Sequence, residues 1–277
     1  MKYLFLLSII SRSLAESIKF FTVTDNDRMT EYSYLTFNEF KNGQIKVLYN
    51  ITVKPNELSS LKYIDGSLYS LDDKTGLLYR IRHGTISTYD TVHNFSKAEA
   101  ASVKGDHLYI YNYTKFKKGE TKRKHLRYNL IKYNYKKKLI VDVKDLTPTI
   151  HKYMNTQNFL SVDINALDYH NGFLYIAPRY YRTCKEKKKY NRGHILTFAD
   201  GRFRKIHLSR KLPKRYGFSD IEIYNNKIYC LVAKEQKTNN GKVLSSIFFI
   251  MSLKGELLTD FIMYDRFNKH EGITIKP

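Results

Sequence analysis

A nine-residue unit that occurs four times constrains this chain more than any other feature. Residues 61–69 (LKYIDGSLY), 101–109 (ASVKGDHLY), 167–175 (LDYHNGFLY) and 221–229 (IEIYNNKIY) each set two short apolar stretches around a turn and close on tyrosine. Asp-Gly and Asn-Gly are the strongest short hairpin signals, because a type I′ turn takes positive φ at both central residues. After these units come further strands and turns. Asp72 to Gly76 precedes Leu77 to Ile81, Asn239 to Gly241 precedes Ser246 to Met251, and Lys254-Gly255 turns a last hairpin. Units of strand, hairpin, strand, hairpin with loose periodicity are how propeller blades look in sequence. No stretch reads as a long amphipathic helix. The widest gap between copies contains the Lys-rich insert 115–138, which reads as one blade with long loops. Four copies plus a strand from the N-terminal segment predict an all-β, five-bladed β-propeller. The competing architecture is a β-sandwich. No convincing linker interrupts the chain, so residues 16–277 read as a single domain.

The start of the chain reads as a secretory signal peptide over residues 1–15. Met1-Lys2 gives a short basic start, Tyr3 to Ile10 is apolar, and Ser13-Leu14-Ala15 offers small residues at cleavage spacing. That apolar run is too short to span a bilayer, and no later segment is long and apolar enough. Three acceptor sequons, at Asn50, Asn94 and Asn112, agree with a secreted glycoprotein. Two cysteines, Cys184 and Cys230, could pair in an oxidising compartment or stand as separate thiols. Either way they cannot make a disulfide scaffold, so an apolar core must hold the fold. The formal net charge is +22. Removal of residues 1–15 takes Lys2 and Arg12 and no acid, leaving +20. A field of that sign attracts nucleotides, nucleic acid, sulfated glycans or acidic membranes.

A series of oxygen-bearing side chains runs in step with the repeat. Ten residues before the closing tyrosines stand Ser59, Glu99 and Ser219; for Tyr175 the same count gives Asn165, with Asp163 two residues earlier. A fixed offset within a repeated blade means a fixed place in the fold. At the start of an inner strand that place is the mouth of the central channel. Glu271, opening the last predicted inner strand, supplies another carboxylate. Such a ring is hard-ligand chemistry: Ca²⁺ takes six to eight oxygens in flexible geometry, whereas Zn²⁺ takes His or Cys. None of the nine histidines shows a paired zinc spacing. Singly, each residue also reads as a solvated charge or a turn former.

Residues 67–79 (SLYSLDDKTGLLY) resemble a segment of the calcium-activated nucleotidases, the apyrase family. Glu57-Leu58-Ser59, Lys97-Ala98-Glu99, Ala177-Pro178-Arg179, Gly217-Phe218-Ser219 and His270-Glu271-Gly272 are similar to further family segments, in the same order. The resemblance implies a five-bladed propeller with one Ca²⁺ in the channel and a nucleotide above it. The implied metal shell is Ser59, Glu99, Asp163, Ser219 and Glu271, with Asp163 standing where the family usually has Glu; on this point the resemblance selects Asp163 over Asn165. Thr24 to Asp27 is similar to the family's acidic N-terminal motif. Phosphoanhydride hydrolysis needs a carboxylate-oriented water and cations on the phosphates. Asp27 and Asp73 are the candidates for the water; Asp25, Arg28, Asp72, Lys74 and Arg179 are those for the nucleotide. By turn chemistry alone, Asp72-Asp73 reads as a hairpin turn.

The sequence departs from the family at Tyr180 and Lys74, where the family has arginines, at Ala100, where it has Trp, and over 184–192, where basic residues replace acidic ones. The metal floor is better preserved than the nucleotide rim. The expectation is therefore a secreted Ca²⁺-dependent hydrolase of nucleoside di- and triphosphates that releases the terminal phosphate. The alternative is a catalytically weakened propeller that keeps its Ca²⁺ and binds nucleotides or anionic surfaces through basic runs at 115–124, 185–189 and 210–215. Those runs lack the interleaved aromatics of a nucleic-acid module.

Overall fold

Each of the four repeated units forms a hairpin, and each opens an antiparallel sheet, of four strands in three blades and of five in the blade built from 159–207. The turns at 72–76 and 239–241 lie partly outside the described residues. The computed structural model describes residues 17–24, 32–54, 58–72, 75–92, 98–114, 127–156, 159–183, 188–238 and 241–277. Blade 1 joins the two ends of the chain: β1 (Ile18–Thr24), β2 (Ser33–Lys41) and β3 (Gln44–Val53) follow the last strand, β21 (His270–Lys276), which is innermost. Blade 2 is β4 (Leu58–Ile64), β5 (Ser67–Asp72), β6 (Leu77–Arg82) and β7 (Thr85–Thr91); blade 3 is β8 (Ala98–Lys104), β9 (His107–Thr114), β10 (Arg127–Asn134) and β11 (Leu139–Asp145). Blade 4 orders β12 (Phe159–His170), β13 (Phe173–Thr183), β15 (His194–Ala199) and β16 (Arg202–His207), with the short β14 (Lys188–Tyr190) beside β13. Blade 5 is β17 (Tyr216–Tyr224), β18 (Lys227–Thr238), β19 (Gly241–Ser252) and β20 (Ile262–Asp265).

The turns carry the backbone the sequence calls for. Asp65-Gly66, Asn171-Gly172 and Asn225-Asn226 all have positive φ at both residues, which matches the right-handed twist of the strands they join. The inner strands touch in a closed circle, β4 to β8 to β12 to β17 to β21 and back to β4. This closure is the five-bladed propeller.

The core is divided into five layers, one between each pair of blades. Phe218, Phe249 and Leu212 are fully buried between blades 4 and 5, and Phe20, Phe248 and Ile273 between blades 5 and 1. Ala100 packs among Tyr111, Tyr128 and Ile164 between blades 3 and 4. A helix not foreseen from the sequence, α1 (Thr147–Thr156), covers that layer with Ile150 and Met154. Asp145 Oδ1 accepts from Thr147 N at 2.8 Å, and Thr147 Oγ1 accepts from Tyr128 N at 2.9 Å, so this helix start is fastened to blade 3.

Cys230 is buried, and burial pushes its thiol well above the ordinary range; Cys184 lies outside the described residues. The leader at 1–15 and the Asn94 sequon also lie outside them. Asn50 is exposed on the outer strand β3, whereas Asn112 is 1 % exposed on β9. An attached glycan needs an open carboxamide. Of these two sequons, Asn50 is expected to carry glycan in protein secreted from eukaryotic cells and Asn112 to stay bare. Intact-mass measurement of Asn50→Gln and Asn112→Gln checks this; a glycan lost from the second variant contradicts it.

Candidate functional site

In every blade the innermost strand carries, at one equivalent position, a residue that its neighbour leaves unpaired. β4 pairs Leu58 with Asp72 and Ser60 with Leu71, skipping Ser59. β8 pairs Ala98 with Asn112 and Ala100 with Tyr111, skipping Glu99. β12 skips Asn165 between Ile164 and Ala166, β17 skips Ser219 between Phe218 and Asp220, and β21 skips Glu271 between His270 and Gly272. A β-bulge leaves its extra residue out of the ladder and re-aims the side chain. Five bulges in equivalent positions therefore present Ser59, Glu99, Asn165, Ser219 and Glu271, one from each blade, around the channel.

Contacts between blades knit the ring. Ser59 Oγ donates to Ala98 O at 2.8 Å, and Ser219 Oγ donates to His270 O at 2.7 Å. Each serine thus holds the carbonyl just before the next blade's glutamate. Asn165 Nδ2 donates to Glu99 Oε2 at 2.8 Å. Two glycines of the same motifs let the strands approach. A Cβ on Gly217 would stand 2.4 Å from Arg179 O, and one on Gly272 would stand 2.9 Å from both Cβ and N of Leu61. Any side chain there would push the inner strands apart.

Cations reach into the acid side of the ring. Glu271 Oε1 accepts from Arg179 Nη1 at 2.8 Å and from Lys269 Nζ at 2.7 Å, while Glu235 Oε2 lies 3.6 Å from Lys269 Nζ and 3.9 Å from Arg179 Nη2. Burial by itself would lower the pKa of Arg179; Glu271, then Asp163, Glu235 and Glu99 outweigh it and raise it above its ordinary value. One guanidinium therefore feels four carboxylates from blades 1, 3, 4 and 5. Asp163 is half-buried and bonded to the phenol of Tyr180, which burial and then Asp163 push upward. Asp72 ends β5 in the turn: its Oδ1 accepts from Thr75 N at 2.8 Å and its carbonyl from Gly76 N at 3.1 Å. It neighbours Leu71, whose carbonyl accepts from Ser59 Oγ at 3.3 Å.

Asp25, Asp27, Arg28, Asp73 and Lys74 lie outside the described residues. Thr24, the residue before Asp25, pairs with His270 beside Glu271. The backbone thus leaves β1 at the ring.

The donor set suits a hard cation. It consists of carboxylates, hydroxyls and an amide oxygen, and Asn165 Oδ1 is buried with no hydrogen-bond partner among the described residues. A buried acceptor left bare costs about 1–3 kcal/mol, and an oxygen-seeking ion would relieve that. Among the described residues no three of His, Cys, Asp and Glu form a ready-made metal cluster. Arg179 and Lys269 instead stand between the acids, and an incoming cation would compete with them for Glu271.

A second polar layer lies three residues further along each inner strand: Lys62, Ser102, Asp168, Glu222 and Thr274. Lys62 Nζ donates to Glu222 Oε2 at 2.5 Å, Ser102 Oγ donates to Asp168, and Asp168 Oδ2 accepts from Ile223 N at 2.6 Å. Thr274 Oγ1 donates to Glu222 Oε1 at 3.4 Å and accepts from Tyr63 N at 3.0 Å. Asp220 joins them, accepting from Ile221 N at 2.8 Å and Ile273 N at 2.9 Å. The sequence reading missed this layer, together with Glu235 and Lys269. The repeat offset that found the first ring would have found it.

Solved structures with similar folds include a nidogen/laminin complex (11 % identity, TM-score 0.47, covering 94 % of this chain and 98 % of that one). A putative 6-phosphogluconolactonase from Bacteroides fragilis NCTC 9343 has 12 % identity and TM-score 0.47 over the same shares of the two chains. One from Bacteroides uniformis ATCC 8492 has 11 % identity and TM-score 0.46 over 94 % and 99 %. No individual curated protein sequence matches the chain. The family comparison covers nearly all of it: residues 15–276 match the Apyrase family model, and the chain belongs to the apyrase family.

Proposed function

We propose that this chain is a secreted, calcium-dependent hydrolase that releases the terminal phosphate of nucleoside di- and triphosphates. The observation that carries this reading is the ring of five bulged residues, one per blade, with a buried amide oxygen left without a partner, in a member of the apyrase family. Ser59, Glu99, Asp163, Ser219 and Glu271 would hold the Ca²⁺, and Asn165 Oδ1 is an added donor. When bound, the ion supplies positive charge against the phosphate oxygens. The remaining steps fall to side chains. Asp27 and Asp73 orient the attacking water and take its proton; Arg28, Lys74 and Arg179 neutralise the polyphosphate, while Asp25 and Asp72 position the nucleotide. Arg179 links the two halves of the site, since it already reaches Glu271 and its release toward phosphate would free that carboxylate.

Phosphate release from ADP, GDP, UDP and ATP, each with millimolar Ca²⁺ and with chelator, tests the reading. Calcium-dependent release that disappears in Glu99→Ala supports it. Release no greater than that of Glu99→Ala at every pH refutes it.

A second reading is favoured by one observation. Glu271 is already paired with Arg179 and Lys269, and a propeller so neutralised would bind nucleotide or anionic surfaces without turnover. Saturable nucleotide binding with no phosphate release in calcium selects it.

A further inference from the structure

On blade 4 a cavity of about 630 Å³ opens between α1, β13, β14, β15, β16 and the connection to β17. None of the ring residues lines it. Pockets of about 300–1,000 Å³ are the usual size for small-molecule sites. Its walls are built rather than collapsed. Asn191 Nδ2 donates to Pro178 O at 2.8 Å and His194 O at 2.7 Å, and Asn191 Oδ1 accepts from Gly193 N at 3.2 Å and His194 N at 3.1 Å. Arg192 closes the far side: its carbonyl accepts from Leu212 N at 3.0 Å and its guanidinium donates to Leu212 O at 3.1–3.2 Å.

The charge of this cavity is one-sided. Lys189, Arg192, Lys205, Lys211, Lys214 and Arg215 line it, and its described lining holds no Asp or Glu. Tyr153 and Tyr190 add two partly exposed aromatic rings. His194, held by Tyr181, is kept neutral: burial, then Lys205 and His207, push its pKa down to about 4. It therefore adds a hydrogen-bonding group and no further charge at neutral pH. Clustered Lys and Arg around a walled cavity raise the local concentration of anions and supply charge-assisted hydrogen bonds to phosphate oxygens. Lys205 Nζ already stands over the Tyr153 ring, 5.3 Å from its centroid, so the ring of Tyr190 is the one that offers a ligand an apolar surface a bare phosphate cannot use.

We propose that this cavity is a second anion site, separate from the channel, for a nucleotide-sized ligand with two or more phosphate groups on a planar ring system. The proposal does not rest on the calcium reading and is tested with that site silenced. In chelator, calorimetric titration of the full chain with ADP is expected to show one saturable site. The charge reversal K211E/K214E/R215E should weaken it at least tenfold with an unchanged melting temperature. The milder K214Q/R215Q should weaken it about threefold, and stands in if the reversal does not fold. Tyr190→Ala is expected to weaken ADP several-fold and to leave pyrophosphate unchanged, which separates ring from phosphate. ADP binding indifferent to both charge variants overturns the proposal. So does pyrophosphate or a sulfated disaccharide binding as tightly as ADP, or binding confined to long polyanions such as heparin. Calcium-dependent phosphate release, measured on the same charge variants, reports on the channel alone and is expected to persist.

Discussion

Millimolar Ca²⁺ added to chelator-treated protein is expected to raise its melting temperature by about 5–10 °C, and Glu99→Gln to abolish most of that rise. The five bulged residues come from five blades. An ion held by them binds the folded chain and has no counterpart in the unfolded one. At a hundred times its dissociation constant such a ligand adds about 2.7 kcal/mol, and a chain of this size gains about 2–4 °C per kcal/mol. Glu99→Gln keeps the size of the side chain, and its amide oxygen can still accept the 2.8 Å bond from Asn165 Nδ2. The variant therefore removes charge with little change in packing. Nucleotide hydrolysis is expected to fall at least a hundredfold with it, as expected when a major electrostatic contribution to a transition state is lost. Mg²⁺, which demands tighter octahedral geometry, should stabilise less. A melting temperature indifferent to calcium, or an equal rise in wild type and Glu99→Gln, would remove the metal from this account.

The parts of this fold that were legible in the sequence are those fixed by short-range chemistry. Asp65-Gly66 and Asn171-Gly172 announce their turns because few residue types tolerate positive φ, and both turns have it. The ring was legible through repetition: Ser59, Glu99, Asn165 and Ser219 share one offset and occupy one structural position. At blade 4 the offset pointed to Asn165 and the family resemblance to Asp163. Asn165 occupies the bulge, while Asp163 lies two residues earlier and faces Tyr180 and Arg179. The bulges themselves leave no trace in an alternation pattern, since one extra residue looks like a slip. The helix was missed because ten residues give too few turns to establish a period. Its local signals were present: Asp145, Thr147 and Pro148 at the start, then Ile150, Tyr153 and Met154 along one side. Lys269 and Glu235 carry no repeat signal, and they meet only because blades 1 and 5 adjoin.

Lys62→Met is expected to cost about 6–20 °C in melting temperature at pH 8 and less than half as much at pH 5. Lys62 is 1 % exposed, yet its charge persists: burial works to lower its pKa, and Asp220, then Glu222 and Asp168, raise it above its ordinary value. Breaking a buried ion pair from one side costs about 3–5 kcal/mol, because the partner charge is stranded, and the stated range is that cost carried through the size scaling of melting. The pH dependence follows from the stranded partners. Burial raises the carboxyl of Glu222 to about 7 and that of Asp220 well above its ordinary value, and Lys62 is the main opposing influence on both. A carboxyl whose folded pKa exceeds its unfolded one stabilises the fold below the unfolded value and loses that contribution as pH rises through the folded value. For Glu222 in wild type this loss falls between the ordinary glutamate range and about pH 7. Without Lys62 both carboxyls move higher still, so at pH 5 Glu222 is neutral and tolerated, while at pH 8 the solution pulls protons from buried acids that have lost their cation. Adding Glu222→Met should return part of the loss at pH 8, since two apolar groups replace one stranded acid. Equal losses at both pH values, or a double variant less stable than Lys62→Met, would mean that Lys62 holds the channel by packing and not by charge.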